Sequence, residues 1–544
     1  EADLNVNWYV DYNWEHIDPE TQLPVGTLRI PSFLIHSGER IDSRSVLLRA
    51  MDRVQRLLPE LLRAFPEVAQ AHGIHPDQIV EVILTAATEL EFWVKTPNEK
   101  AEIEQLTASQ VLQEQYWKRT KGVVRTALEH SLMLLEQYGL EPEMGHKEVG
   151  GIKAQIGDGG GLTHIMEQLE IDWRFSNALQ AADNELLARI IIKETFRRHG
   201  LEVTFMAKPM EGVAGNGEHT HVGISLRLKD GSIRNIFAPL DANREFLSPI
   251  GWGALLGMLK NYETISAFIS ASNDAFNRLQ PGFEAPVCIV ASVGHDVATP
   301  SRNRTVLLGL IRDIDDPAAT RFEVRSPNPH TNTYLALAAI YQGIMDGIVH
   351  VVKEGRTSAD LEREFSKKPN EPGLYLELHR AYRSEEDVFA AYSAEERDQL
   401  FGRPPATVWE AMENLEKYAE KAAVLRQGEV FSGKIIRSYA QAMLNQWITE
   451  LRDRILPENV EIIRSLTRLD TPDASSIDEE RWNKVNTVRR ELMKDEFGRI
   501  SLFAQLRQAI EKHDYPEISR LQQQMNAMMR ELKVLYNEYR RNLF

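Results

Sequence analysis

Thr88-Glu89-Leu90-Glu91-Phe92, Glu218-His219-Thr220-His221-Val222 and Arg321-Phe322-Glu323-Val324-Arg325 follow one pattern. In a β-strand, residues i and i+2 point to the same face, so each segment turns charged groups one way and apolar groups the other. Glu89 and Glu91 share a face opposite Leu90 and Phe92. His219 and His221 lie opposite Val222 and Ile224, and Arg321, Glu323 and Arg325 lie opposite Phe322 and Val324. One such face is more often just the wet side of an antiparallel sheet. Three with different chemistries carry more weight. If the strands are neighbours, one face holds carboxylates, imidazoles and guanidiniums together. Crowded carboxylates cost energy unless a cation neutralises them. Oxygen ligands with one His and no thiolate suit Mg²⁺ or Mn²⁺ better than zinc. Arginines on that surface bind phosphate or carboxylate by paired hydrogen bonds. The chemistry implied is metal-assisted phosphoryl transfer with a nucleotide donor.

Outward from these strands the chain reads as mixed α and β. Helices are expected over 46–65, 111–138 and 176–199, the last two closed by Gly139 and Gly200. Alternating segments fall at 81–94, 202–208, 218–228, 287–293 and 320–326. Residues 1–40 are strand- and turn-like, punctuated by Pro19, Pro24, Gly26 and Pro31. Gly215-Asn216-Gly217 leads into the histidine strand, where glycine allows close backbone approach to a ligand. Asn277-Arg278-Leu279-Gln280-Pro281-Gly282-Phe283-Glu284 reads as a surface loop or a functional flap. After about residue 405 the strands stop. The last helix carries Ile518, Leu521, Met525, Met528, Leu532, Leu535 and Tyr539 at alternating steps of three and four. Packing against the chain's own helices is the favoured reading of that seam, and contact with another subunit the sharper one.

Composition bounds the function. The chain has 544 residues, 43% hydrophobic and 26% charged, ordinary for a globular protein with a full core. At roughly 150 residues per domain it is long enough for several domains. A net charge of −17 argues against nucleic-acid binding, which needs Lys and Arg against phosphates. The lone Cys288 excludes an intramolecular disulfide and any cysteine-rich metal site, and fits a reducing, cytoplasmic setting. The most apolar stretch, Tyr334 to Val352, is broken by Gln342, Asp346 and His350, so no membrane span is expected. The acidic start Glu1-Ala2-Asp3-Leu4 is not expected to be a signal peptide.

Taken in order, the motifs resemble a known family. Glu89-x-Glu91, Glu148-Val149-Gly150-Gly151, Lys208-Pro209, His219-x-His221, Asn277-Arg278-x-x-Pro281-Gly282-x-Glu284-Ala285-Pro286, Arg302-Asn303-Arg304 and Arg321-x-Glu323-x-Arg325-x-Pro327-x-Pro329 resemble glutamine synthetase over roughly residues 80–350. The opening stretch Gly26–Pro31 through Leu47–Arg49 and the long helical tail look like its large type III branch. The resemblance implies an α+β fold with a curved antiparallel sheet and flanking helices. It divides the chain into a partial β-grasp-like segment over 1–40, a catalytic domain over 41–404 and a helical extension over 405–544. It also implies ATP-dependent ligation of glutamate and ammonia through γ-glutamyl phosphate, with Mg²⁺ or Mn²⁺. The assembly implied is a homo-oligomer, a hexameric ring or a dodecamer of two stacked rings.

Residue by residue, Glu89, His219 and Glu323 resemble the ligands of the phosphate-side metal. Glu91, Glu148 and Glu170 resemble those of the glutamate-side metal. Arg278, Arg304 and Arg325 resemble the arginines that hold glutamate and the transferring phosphoryl group. Gly215 belongs to the turn that meets the substrate. Arg321, His221 and Arg304 resemble nucleotide contacts, and Glu284 the flap carboxylate that takes the ammonium proton. Four departures stand out. The insertion Gly157-Asp158-Gly159-Gly160-Gly161 lengthens the spacing between Glu148 and Glu170. Ala214 stands where the family has Asn, and Gly309 where it has a second arginine, with Arg312 as a substitute candidate. Only about 40 residues precede the first expected helix, so little of the family's β-grasp domain is expected in this stretch, with Asp18 as the candidate for the ammonium-site Asp that this domain lends to a neighbouring subunit. Two alternatives follow. One is a γ-glutamyl ligase for a larger amine. The other is a non-catalytic regulatory member, disfavoured because a buried charge cluster is costly to keep without use.

Overall fold

The structure is a computed structural model. It describes residues 1–97, 120–156, 162–210, 213–282, 285–469 and 474–543. The expected helix over 111–138 is observed as Gly122–Gln137, and its first part, 111–119, lies outside the described residues. So do Phe283, Glu284 and the insertion 157–161.

The described residues contain a ten-stranded sheet built around the long strand Ile79–Pro97. On one side of it come the histidine strand Glu218–Leu228, the arginine strand Arg321–Val324, then Leu308–Ile311 and Ala291–Ser292. On the other come Leu162–Trp173 and Pro142–Ile156. The pairs along this path are antiparallel except the last, Ala291–Ser292 with Leu308–Ile311, which is parallel. The sheet is therefore mixed, and the fold is α+β. The hairpin Pro142–Ile156/Leu162–Trp173 is absent from the expected strands. Its glycines and charged residues hide the alternation by which a strand is recognised.

Alternation decides which face is dry. Leu90, Phe92 and Val94 join Leu169 and Ile171 of the neighbouring strand beneath two helices. Those helices contribute Leu128 and Leu135 from Gly122–Gln137, and Ile192 and Phe196 from Ala178–Arg198. Both helices stop as expected, with Gly139 at φ +79° and Gly200 at φ +71° in the left-handed region where only glycine is unstrained. The helix Ser43–Ala64 starts where Asp42 accepts a hydrogen bond from the Ser45 N–H at 2.8 Å. Its Arg44 is buried against Asp3 and Asp183.

Thr333–Glu354 is long and apolar enough to cross a membrane by length and composition alone, despite Gln342, Asp346 and His350. It is a core helix here, largely buried and packed on Pro249–Lys260 and Ser43–Ala64. Against Pro249–Lys260 the contact is glycine on glycine. A Cβ at Gly347 would lie 1.9 Å from the Gly253 carbonyl oxygen, and one at Gly257 would lie 2.1 Å from that of Gly343.

The chain divides into two compact units. The first comprises 1–270, 277–404 and 418–433, and holds the sheet. The second comprises 271–276, 405–417 and 434–544, and is helical where described. There the last helix, Tyr515–Leu543, packs on Ser476–Met493 and Leu502–Lys512, the favoured reading of its seam. It buries Ile518, Leu521, Met525, Met529, Leu532 and Tyr539. Met528 and Leu535, expected on the seam, are half-buried.

Gly347→Ala should lower stability by about 1–3 kcal/mol, the usual cost of overpacking a close contact. The check is the shift in chemical denaturation midpoint relative to the unsubstituted protein.

Candidate functional site

Register assembles the site. Glu89 pairs with His219 on one side and Asp172 on the other. Glu91 pairs with Glu170, Glu170 with His146, and His221 with Glu323. The charged faces of five strands thus become one surface.

Two groups of side chains on it have metal-ligand geometry. In the first, ligand atoms of Glu89, His219 and Glu323 all lie within 4.8 Å of one another. His219 Nδ1 is 3.1 Å from Glu89 Oε2 and 3.4 Å from Glu323 Oε1. His221 is held between Arg321 and Glu89. Arg321 Nε donates to its Nδ1 at 3.1 Å, so Nε2 carries the proton facing Glu89 Oε1 at 2.7 Å. Burial alone would raise the Glu89 carboxyl, but the His221 and His219 imidazoles hold it well below the usual range. Glu323 is likewise raised by burial but lowered on balance, chiefly by the ion-paired Arg325.

The second group is His146, Glu148 and Glu170. His146 Nδ1 is 3.5 Å from Glu148 Oε1, and its Nε2 is 3.4 Å from Glu170 Oε1. The lengthened spacing between Glu148 and Glu170 does not part them, because the strands that carry them are neighbours. The pairing register shifts between Lys147 and Val149, a bulge at Glu148 of the kind that re-aims side chains beside functional sites. Burial and the charges of Glu170 and Glu91 push the Glu148 carboxyl up to about 11. Burial and the charges of Glu89 and Glu91 push Glu170 to about 7, against the pull of His146. Such carboxylates ionise together only beside a cation, so both donor sets fit a hard divalent ion.

Glu91 stands between the groups. Its Oε2 accepts from Gln168 Nε2 at 2.9 Å and the Gly217 N–H at 2.8 Å, and its Oε1 lies 3.9 Å from His219 Nε2. Sequence reasoning grouped it with Glu148 and Glu170 and missed His146. The signal was present, since His146 stands two residues before Glu148 as Glu89 does before Glu91. Asp172 was missed too, two residues after Glu170. It shares the face, is pushed to about 6 by burial and by Glu89, and its Oδ1 is buried without a hydrogen-bond partner.

The arginines frame this surface. Arg278 is buried, donating to the carbonyls of Ser326, Pro327 and Arg325 at 3.1 to 3.2 Å. Arg325 ion-pairs with Glu323 and donates from Nε to the Arg304 carbonyl at 3.0 Å. Gly215 is required by contact, since a Cβ there would sit 2.3 Å from the Ala207 carbonyl oxygen and 2.8 Å from Arg278 Cγ. A Cβ at Gly217 would meet Arg278 Nη2 at 2.7 Å and His219 Nε2 at 3.0 Å.

The substitute candidate Arg312 does not reach the site. Arg312 donates to the carbonyls of Ala242, Glu245 and Phe246, so it does not replace the arginine missing at Gly309. Gly309 itself faces Glu323. Asp18 closes its own turn, accepting from the N–H groups of Glu20 and Thr21. Ala214 is held by its carbonyl, which accepts from Trp93 Nε1 at 3.1 Å.

Comparison with known proteins gives the family. Residues 62–377 match the family described as glutamine synthetase, catalytic domain. The chain is 30% identical over 329 residues to a glutamine synthetase of Pyrococcus woesei, covering 60% of each chain. It is 31% identical over 319 residues to one of Thermococcus kodakarensis, covering 59% of this chain and 58% of that one. To one of Clostridium saccharobutylicum it is 34% identical over 220 residues, 40% of this chain and 42% of that one. It thus spans about 60% of the length of the archaeal relatives. The chain belongs to the glutamine synthetase family.

A proton held by Glu170 near neutrality competes with a cation for the same oxygens. Mn²⁺ binding, measured by calorimetry, should therefore tighten as pH rises toward about 7. Glu170→Gln should weaken that binding and flatten the pH dependence.

Proposed function

We propose that this chain is an ATP-dependent ligase that joins glutamate and ammonia to form glutamine through γ-glutamyl phosphate. The observation that carries the reading is the convergence of two carboxylate–imidazole groups and a set of arginines on one sheet face. Glu89, His219 and Glu323 would hold one divalent cation, and His146, Glu148 and Glu170, with Glu91 between, the other. Bound there, Mg²⁺ or Mn²⁺ supplies charge neutralisation for nucleotide phosphates and the glutamate carboxylate.

The remaining work falls to the chain's own groups. By resemblance, Arg325 and Arg304 would meet negative charge on the transferring phosphoryl group, and Arg278, which donates to the carbonyls of residues 325–327, holds the backbone that carries Arg325. Arg321 and the His221 it orients face the nucleotide side. Glu284, by resemblance, takes the proton from ammonium so that neutral ammonia attacks. A closed flap would keep water from the acyl phosphate.

Phosphate release should require glutamate, ATP and ammonium together, and EDTA should abolish it. Glu323→Ala should weaken nucleotide use more than Glu284→Ala, which should act on the amine step. A primary amine with a higher kcat/KM than ammonium would replace this reading with the larger-amine ligase. Full activity in EDTA would remove the phosphoryl-transfer reading altogether.

The assembly we propose is a closed ring of six, alone or as two stacked rings, because a head-to-tail interface that closes generates a ring. Light scattering at micromolar concentration should give a mass near six or twelve chains. A monomer would refute it.

A further inference from the structure

The loop carrying Arg302-Asn303-Arg304 is held by a segment beyond the family match, which ends at residue 377. That segment, Tyr382–Val388, runs alongside the loop and bonds to it at both ends. At the near end, the Ala291 N–H donates to the Tyr382 carbonyl at 2.9 Å, and the Ser384 N–H donates back to that of Ala291 at 3.1 Å. At the far end, Asn303 Nδ2 donates to the carbonyls of Ser384 at 3.2 Å and Glu386 at 2.6 Å. The Val388 N–H donates to Thr305 Oγ1 at 2.9 Å. Behind the segment, Val388 and Phe401 pack on Cys288, Val290 and Val306.

Glu385 is the centre of this clamp. Its carboxylate accepts from the N–H of Gly294 at 2.9 Å, the N–H of Val293 at 3.3 Å and the Ser292 hydroxyl. Ser292 Oγ in turn bonds the Ser301 hydroxyl, immediately before Arg302. Arg383 Nε donates to Glu385 at 2.8 Å, and its Nη2 donates to the Gly294 carbonyl at 2.7 Å. An ionised carboxylate accepting several bonds is among the stronger anchors a loop can have. From Arg304 the chain of contacts continues to the site, because its carbonyl receives Arg325 Nε and Arg325 pairs with Glu323.

We propose that Glu385 is a positioning residue that fixes the Arg304 loop, and through it the Arg325 guanidinium, against the charge-bearing face. What the two arginines then do rests on the ligase reading above. That Glu385 holds the loop does not.

The test combines amide hydrogen exchange over residues 292–305 with a double-mutant cycle. Glu385→Ala should speed exchange in that loop while the strands Ile79–Pro97 and Glu218–Leu228 stay protected. It should lower kcat/KM for ATP by about 10- to 100-fold, the usual cost of losing a group that holds an active-site residue. Arg304→Ala should cost less in the Glu385→Ala background than alone, because the loop it needs is already released. Glu385→Gln keeps the side chain's length and loses its charge. It should shift the same readouts in the same direction, and it stands in if the alanine variant does not fold. Unchanged exchange over 292–305, or a fully additive cycle, would overturn the proposal. If the wild-type protein forms no glutamine, the ligase reading fails while the exchange measurement still decides the clamp.

Discussion

Repulsion among carboxylates on one sheet face is the constraint around which this molecule is organised. Glu89, Glu91, Glu148, Glu170, Asp172 and Glu323 share a surface that is largely removed from water. Side chains alternate with a period of two, so slipping the register of Ile79–Pro97 by one residue would turn Glu89 and Glu91 into the core and expose Leu90 and Phe92. The apolar face therefore enforces the crowding. The free energy of burying Leu90, Phe92, Leu169 and Ile171 offsets the cost of bringing like charges together.

The crowded face is also braced. Gln168 links Glu91 Oε2, the Gly215 carbonyl and Asn216 Oδ1 with one amide nitrogen. Asn216 is fully buried and anchored to the carbonyls of Thr204 and Met206. On the opposite face, Thr88 donates to the buried Glu185, and Thr333 to the buried Glu218. Strands that carry the charged groups are thus tied by polar contacts on both faces. A site fixed in this way gives up little entropy when charge arrives.

Much of this was legible in the sequence where a strand keeps strict alternation. The glutamate, histidine and arginine strands alternate cleanly, and the structure brings them side by side. The strand around His146 does not, because Gly145, Gly150 and Gly151 interrupt it and a bulge shifts its register at Glu148. The arginine at 312 looked available because sequence spacing does not reveal which backbone carbonyls lie within reach. In the last helix, steps of three and four repeated strictly every seven residues point to Met528, whereas the observed packing buries Met529. A helix with 3.6 residues per turn drifts against a seven-residue seam, and its two neighbours take up the drift.

The glycine-lined contact of Thr333–Glu354 also bears on how the chain is made. Its two principal partners, Ser43–Ala64 and Pro249–Lys260, precede it in the sequence and leave the ribosome first. This long apolar helix is therefore synthesised after the surfaces that receive it. Its glycines let it dock closely without displacing side chains already in place. Order of synthesis thus shortens the time for which a segment attractive to lipid, chaperones and other nascent chains stays uncovered.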